Sequence, residues 1–204
     1  MEVNLKEHLF GFMKEHNIPA AHIQLPEASI DTDIIRVIMI NEVPPEEPED
    51  FFYSKAGNPG YMQTTRSLFS NAGVEVQNMD DILQLGIYIT TAVKSPKSGY
   101  AVDKEKILEH LPILEYELGM FPNLKVIMLM GDVAKKSFNM ITKKKTDKNA
   151  VPAGSTYKIR DNEFYFEGIR IFPSYIMTGG NILIEKSKCT MISEDIKRMM
   201  KLIN

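Results

Sequence analysis

The chain has 204 residues, 44% hydrophobic and 25% charged, the balance of a soluble globular protein long enough to bury a core without staples. Its longest apolar runs fall far short of the roughly 20 residues of a membrane helix. The single cysteine, Cys189, excludes an intrachain disulfide, a multi-cysteine zinc site and a four-cysteine iron–sulfur cluster. Net charge is −3, but residues 1–133 carry 10 Lys/Arg against 20 Asp/Glu, and residues 134–204 carry 14 against 7. The basic C-terminal third offers a local face for phosphate, although chance partition of surface charge explains it equally well.

The start, "MEVNLKEHLFGFMKEHN", is acidic and amphipathic, without the basic region or cleavage site of a signal peptide. With one cysteine, the expected home is the cytoplasm. Leu5–His16 reads as an amphipathic helix on Leu9, Phe10 and Met13. Arg36–Ile40 is nearly continuous in apolar character, the pattern of a strand buried on both faces. It stops at "NEVPP", and residues 41–61 are loop-like, with four prolines, a block of acids and "FFYSKAGNPGY". A connection of that length is usually functional or disordered, and its aromatic content argues against disorder.

Gln63–Ala72 reads as a helix capped by Gly73. Gly86–Val93 is a second central strand, followed by "KSPKSGY". Asp103–Leu118 is helical, with Asp103 as N-cap and Pro112 expected to kink or break it. Lys125–Met130 is a third buried strand, ending in Gly131-Asp132, with Asp132 as the expected cap of the next helix. "TKKKTDKNAVPAG" reads as a mobile basic loop, and Tyr157–Arg160 with Glu163–Phe166 as a hairpin turning at Asp161-Asn162. Gly168–Phe172 is the fourth strand, ending in "PSYIMTGGN", and Ser193–Leu202 the last helix. Strands alternate with helices, so the expectation is one α/β domain over residues 1–204, a three-layer α/β/α arrangement around a four-stranded, mostly parallel sheet. No repeat or domain boundary stands out.

In such a sheet the four polar strand ends lie along one edge, where open α/β proteins keep their chemistry. Glu42 is the carboxylate there, although the four acids that follow within eight residues make a solvated loop an alternative. The four histidines show no metal-site pattern, and the scattered methionines read as core filling.

The ordered set of segments resembles the uracil-DNA glycosylase superfamily, especially its bacterial and archaeal branch, over roughly residues 34 to 185. Asn41-Glu42-Val43-Pro44-Pro45 stands where that branch has Gly-Glu-Ala-Pro-Gly, and Gly60-Tyr61 where it has an aromatic before a helix. Tyr88-Ile89-Thr90-Thr91-Ala92-Val93-Lys94 matches its Tyr-Ile-Thr-Asn-Val-Val-Lys strand, and Met130–Lys135 its strand ending in Gly before an Ala-containing helix. Phe172-Pro173-Ser174-Tyr175 matches its His-Pro-Ser/Ala-Tyr motif. The branch's iron–sulfur cysteines are missing, Thr91 stands for the base-reading Asn, and Phe172 for the His.

The resemblance implies a monomeric DNA-repair enzyme that flips a damaged base, uracil foremost, and hydrolyses its N-glycosidic bond without metal or organic cofactor. It implies Glu42 as the water-positioning carboxylate, with Ser174, Tyr175 or Thr178 replacing the missing donor. Asn41, Tyr61, Thr91 and Tyr175 would contact the base, Tyr61 as the stacking ring, with Phe51, Phe52 and Tyr53 as rivals and ordinary core packing as the competing explanation. Lys94, Ser95, Lys97 and the Thr178-Gly179-Gly180-Asn181 turn would grip the backbone of single- or double-stranded DNA, with Lys143–Lys145 and Lys148 as further phosphate contacts. For "TGGN" a plain tight turn, and for the lysine run a solvated surface, are the competing explanations. A phenyl ring cannot donate a hydrogen bond to a leaving anion, so the second reading is a glycosylase-like fold that binds nucleic acid or a nucleobase without cleaving it. A third is an α/β enzyme for a small nucleotide-like substrate.

Overall fold

The computed structural model describes residues 2–99 and 101–203. The chain opens with β1 (Glu2–Asn4) and α1 (Leu5–Glu15), whose first turn is capped by the Asn4 side chain accepting from Glu7 N–H at 3.1 Å. β2 (Ser29–Asp31) returns antiparallel to β1, a two-stranded ribbon too short to read from sequence. Then come β3 (Val37–Asn41), α2 (Gly60–Asn71), α3 (Met79–Gln84) and β4 (Ile87–Thr91). The second half holds α4 (Lys104–Gly119), β5 (Val126–Met130), α5 (Asp132–Thr146), α6 (Thr156–Ile159), β6 (Phe164–Phe166), β7 (Ile169–Ser174) and α7 (Lys186–Ile203).

The main sheet has five strands in the order β4-β3-β5-β7-β6, not four. β4, β3, β5 and β7 run parallel, as expected, and β6 adds an antiparallel edge. The hairpin therefore lies one element later than the sequence suggests. Residues 156–159 are the helix α6, and β6 turns into β7 at Glu167-Gly168, both with positive φ (50° and 81°). Two left-handed central residues are what a tight type I′ hairpin needs. Pro173 is tolerated in β7 because β6 pairs only as far as Ile171, so no ladder bond is lost on that side.

β3, β4 and β5 are buried along their whole length, which explains their unbroken apolar sequences. α2 packs with α7, and α4 with both α1 and α5. The β4 side chains Tyr88 and Thr90 bond to Glu117 of α4, so alternate residues, Ile89 and Thr91, face the opposite side. Helices thus cover both faces of the sheet.

Two further expectations need adjustment. Of the kink or break expected at Pro112, the break does not occur, since α4 runs on past it. The lysine run 143–145 is not loop but the last turn of α5, where cations suit the helix C-terminus. Since α5 starts beside the tip of β5 and runs back along the sheet, those lysines sit at the opposite edge from the strand tips.

Candidate functional site

Strand order places the switch point between β3 and β5, because the chain leaves β3 toward β4 on one side and later adds β5 and β7 on the other. The four tips are stitched in two pairs, β3 with β4 and β5 with β7. Ala92 N–H donates to Asn41 O at 2.7 Å, Val93 N–H to Glu42 O at 3.0 Å, and Gly131 N–H to Ser174 O at 3.2 Å.

Glu42 crosses the switch-point crevice. Its Oε1 accepts from the backbone N–H of Val133 at 3.0 Å, in the first turn of α5. Asp132, the expected cap, is the first helical residue, and among the described residues it makes no capping bond; the glutamate 91 positions before Val133 does that work. Burial pushes the Glu42 carboxyl above its ordinary range, opposed by the Val133 N–H; the Asp132 charge pushes the same way as burial and Lys97 pulls back. Gly131 makes the arrangement possible. Its φ is 110°, and a Cβ there would collide with the Glu42 carboxylate and the Ile176 side chain.

Tyr61 sits in the first turn of α2, half-buried, packed edge-on against Phe52 with ring centroids 5.1 Å apart. Its hydroxyl donates to Val43 O at 3.3 Å. Burial raises the phenol's pKa, the neighbouring Thr178 side chain lowers it, and the charges of Asp50 and Glu42 add to the rise. Phe51, Phe52 and Tyr53 are core residues, Tyr53 donating to Ile89 O at 2.6 Å. Of the four aromatics, Tyr61 is the one left at the rim. It borders a cleft of about 480 Å³ with Val43, Pro44, Pro45, Pro96 and the exposed Lys97.

The structure therefore brings Glu42, Tyr61, Thr178 and Lys97 into one neighbourhood, joined by Gly131 and Ile176, which sequence reasoning did not single out. Asn41 and Thr91 lie side by side at the tips of β3 and β4, both buried. Tyr175 is half-buried just beyond β7, while Gly179 and Asn181 are exposed and Gly180 opens a short 3-10 turn, Gly180–Leu183.

Three residues are placed where their expected roles are closed to them. Lys94 is 1% exposed; its Nζ donates to Thr90 Oγ1 at 2.8 Å and Thr91 O at 2.6 Å, and it is ion-paired with the fully buried Glu117. A lysine with all three donors spent inside cannot grip a phosphate. Ser95 is buried against His110, its Oγ 3.3 Å from Nε2. Ser174 donates to Asp195 Oδ2 at 2.7 Å inside a buried cluster that also holds Arg160 and Arg198, so its proton is not available to a leaving group. Phe172 is core, roofed by the Arg170 guanidinium 4.4 Å from its ring centre.

Among the described residues no group of three or more His, Cys, Asp or Glu side chains is placed to hold a metal ion. No helix among the described residues is long and apolar enough to cross a membrane.

No family model and no curated protein matches the chain. One similar solved structure is the wild-type UNG of Nitratifractor salsuginis, at 10% identity and a TM-score of 0.38, over 81% of this chain and 74% of that one. At that score the likeness carries no weight for the site, which stands on its own geometry.

Proposed function

We propose that the chain is a divergent member of the uracil-DNA glycosylase superfamily, acting on DNA and hydrolysing the N-glycosidic bond of a base drawn into the cleft beside Tyr61, with uracil as the first candidate. The observation that supports it is the meeting of a half-buried carboxylate, an aromatic ring and a cation at the tips of β3 and β4, beside the switch point, from segments far apart in sequence. The base stacks on Tyr61, and the glycosidic carbon faces the crevice between β3 and β5. Glu42, anchored by the backbone at the start of α5, holds a water against that carbon. As the bond breaks, the electron pair leaves with the base and positive charge develops on the sugar, which the carboxylate stabilises. Burial makes Glu42 a stronger base than a surface glutamate, so it takes the water's proton more readily. Lys97 supplies a phosphate contact at the rim.

A second reading, binding without hydrolysis, is favoured by Phe172 and Ser174, since neither can protonate or stabilise a leaving base. The two separate in one assay. Uracil-containing oligonucleotides incubated with the protein are expected to gain alkali-labile sites, and Glu42→Gln to remove them; tight binding with no such sites selects the second reading.

A further inference from the structure

A second cavity, of about 280 Å³, opens between α2, the start of α3 and the loop 52–57, and it shares no lining residue with the cleft beside Tyr61. Its wall is apolar and made of core side chains, since Phe52, Tyr53, Met62 and Met79 are all buried. Arg66 stands four residues beyond Met62 on α2, so both reach the same cavity. The arginine is half-buried, and among the described residues its guanidinium has a single partner, the side-chain oxygen of Asn58. The other arginines that are not exposed are held differently. Arg160 and Arg198 meet carboxylates, and Arg170 meets the carbonyls of Asn162, Phe164 and Ile171. A planar fork of five donors with one bond made, set against an apolar wall, matches an acid with an apolar body. Charge at the opening narrows the acid. Lys6 and Lys55 both hold Glu27 at 3.0 Å, and Asp80 shares the rim with Arg66. Three cations against two acids leave one positive charge over, which suits a monoanion better than a phosphate dianion. The volume lies at the small end for ligand pockets, room for one ring or a short branched chain beside the acid group.

We infer that this cavity is a binding site for a small monocarboxylate with an aromatic or branched aliphatic body. The carboxylate takes two parallel hydrogen bonds from the Arg66 fork, and the body packs on Met62, Met79 and Phe52. The site is independent of the nucleobase cleft and stands whether or not the chain cleaves DNA.

The test is an NMR titration of the whole protein, its methionine methyls labelled with carbon-13, against phenylacetate and isovalerate, a ringed and a branched acid. Phenylacetamide, which has the shape without the charge, and phenyl phosphate, largely dianionic at neutral pH, are titrated in parallel. At least one of the two acids is expected to move the Met62 and Met79 signals saturably, with a Kd of about 1 mM or below. The amide and the phosphate are expected to bind at least about fivefold more weakly. Arg66→Gln, which keeps a good helix former on α2, is expected to weaken the acid about tenfold or more, and Tyr61→Ala to leave it within about threefold. If the glutamine variant does not fold, Arg66→Lys carries the same comparison, keeping the charge without the fork, with a loss of about fivefold. Met62 and Met79 signals unmoved by about 10 mM of either acid overturn the inference, as do equal binding of the amide, tighter binding of the phosphate, or an affinity indifferent to Arg66. Affinity lost in Tyr61→Ala and kept in Arg66→Gln overturns it as well, by placing the acid in the cleft.

Discussion

Glu42 caps α5 through Val133 N–H, and in the proposed reaction the same carboxylate also holds the water. Its carboxyl is held above the ordinary value of 4.5, so between that value and the raised one the native state binds more protons than the unfolded state. Stability conferred by the protonated form therefore declines as pH rises through that window and is not regained at neutral pH. Glu42→Gln keeps an oxygen for Val133 and has nothing to deprotonate. The variant is expected to melt at or above the wild-type temperature at pH 7 while losing at least about 10²-fold in cleavage rate. The same shift places the acid limb of the wild-type pH–rate profile above 4.5, which a series of single-turnover rates will show. Gly131→Ala should disturb both purposes, since its Cβ meets the carboxylate at a φ of 110°; a loss of about 1–3 kcal/mol in a urea melt is expected. A carboxylate at a strand tip was legible in "VIMINEVPP". Its bond to Val133 was not, because nothing local links positions 42 and 133.

Among the elements, the strands were legible because burial on both faces writes itself as continuous apolar sequence. The chain between them was harder. Lys94 looks like a surface lysine in "KSPKSGY", and only the approach of Glu117 from α4, with Tyr88 and Thr90 donating to the same carboxylate at 2.6 and 2.9 Å, shows that it is core. Lys94→Met leaves that carboxylate buried and uncompensated, and is expected to cost about 3–5 kcal/mol in chemical denaturation. Its effect on the salt dependence of DNA binding should be nil, which separates this lysine from Lys97. The hairpin was misplaced because Asp161-Asn162 is the stronger turn dipeptide on paper, whereas the true turn carries a glutamate at φ 50°. Glu167→Asn relieves that left-handed strain and is expected to stabilise by about 0.5–1 kcal/mol, read from the same denaturation curves.

Across the whole molecule, the sheet gathers four distant tips at one rim, and strand order alone decides which pair flanks the crevice. That convergence followed from alternating strands and helices; the edge strand β6 was legible as Glu163–Phe166, but its antiparallel pairing with β7 was not, since the turn at Asp161-Asn162 pointed to the preceding segment as its partner. The fold also stores a pH response away from the rim. Burial, with Lys106 and Lys94 adding and Glu109 opposing, drives the His110 imidazole from 6.5 down to about 4. Between those values the unfolded state takes a proton that the native state refuses, so stability falls as pH drops from 6.5 toward about 4. Urea midpoints at pH 7 and pH 4.5 should show the decline, and His110→Gln should lessen it.

The most direct measurement of the cleft is fluorescence anisotropy of a labelled uracil-containing oligonucleotide, titrated at low salt with Glu42→Gln and with the double variant Glu42→Gln/Tyr61→Ala. Neither cleaves, so the comparison reads binding alone and holds for either reading of the chemistry. Loss of the stacking ring is expected to weaken binding by about 1–3 kcal/mol, on the order of tenfold to a hundredfold. Equal affinities for the two variants, or a uracil strand bound no better than one lacking the base, would contradict a nucleobase site at the tips of β3 and β4.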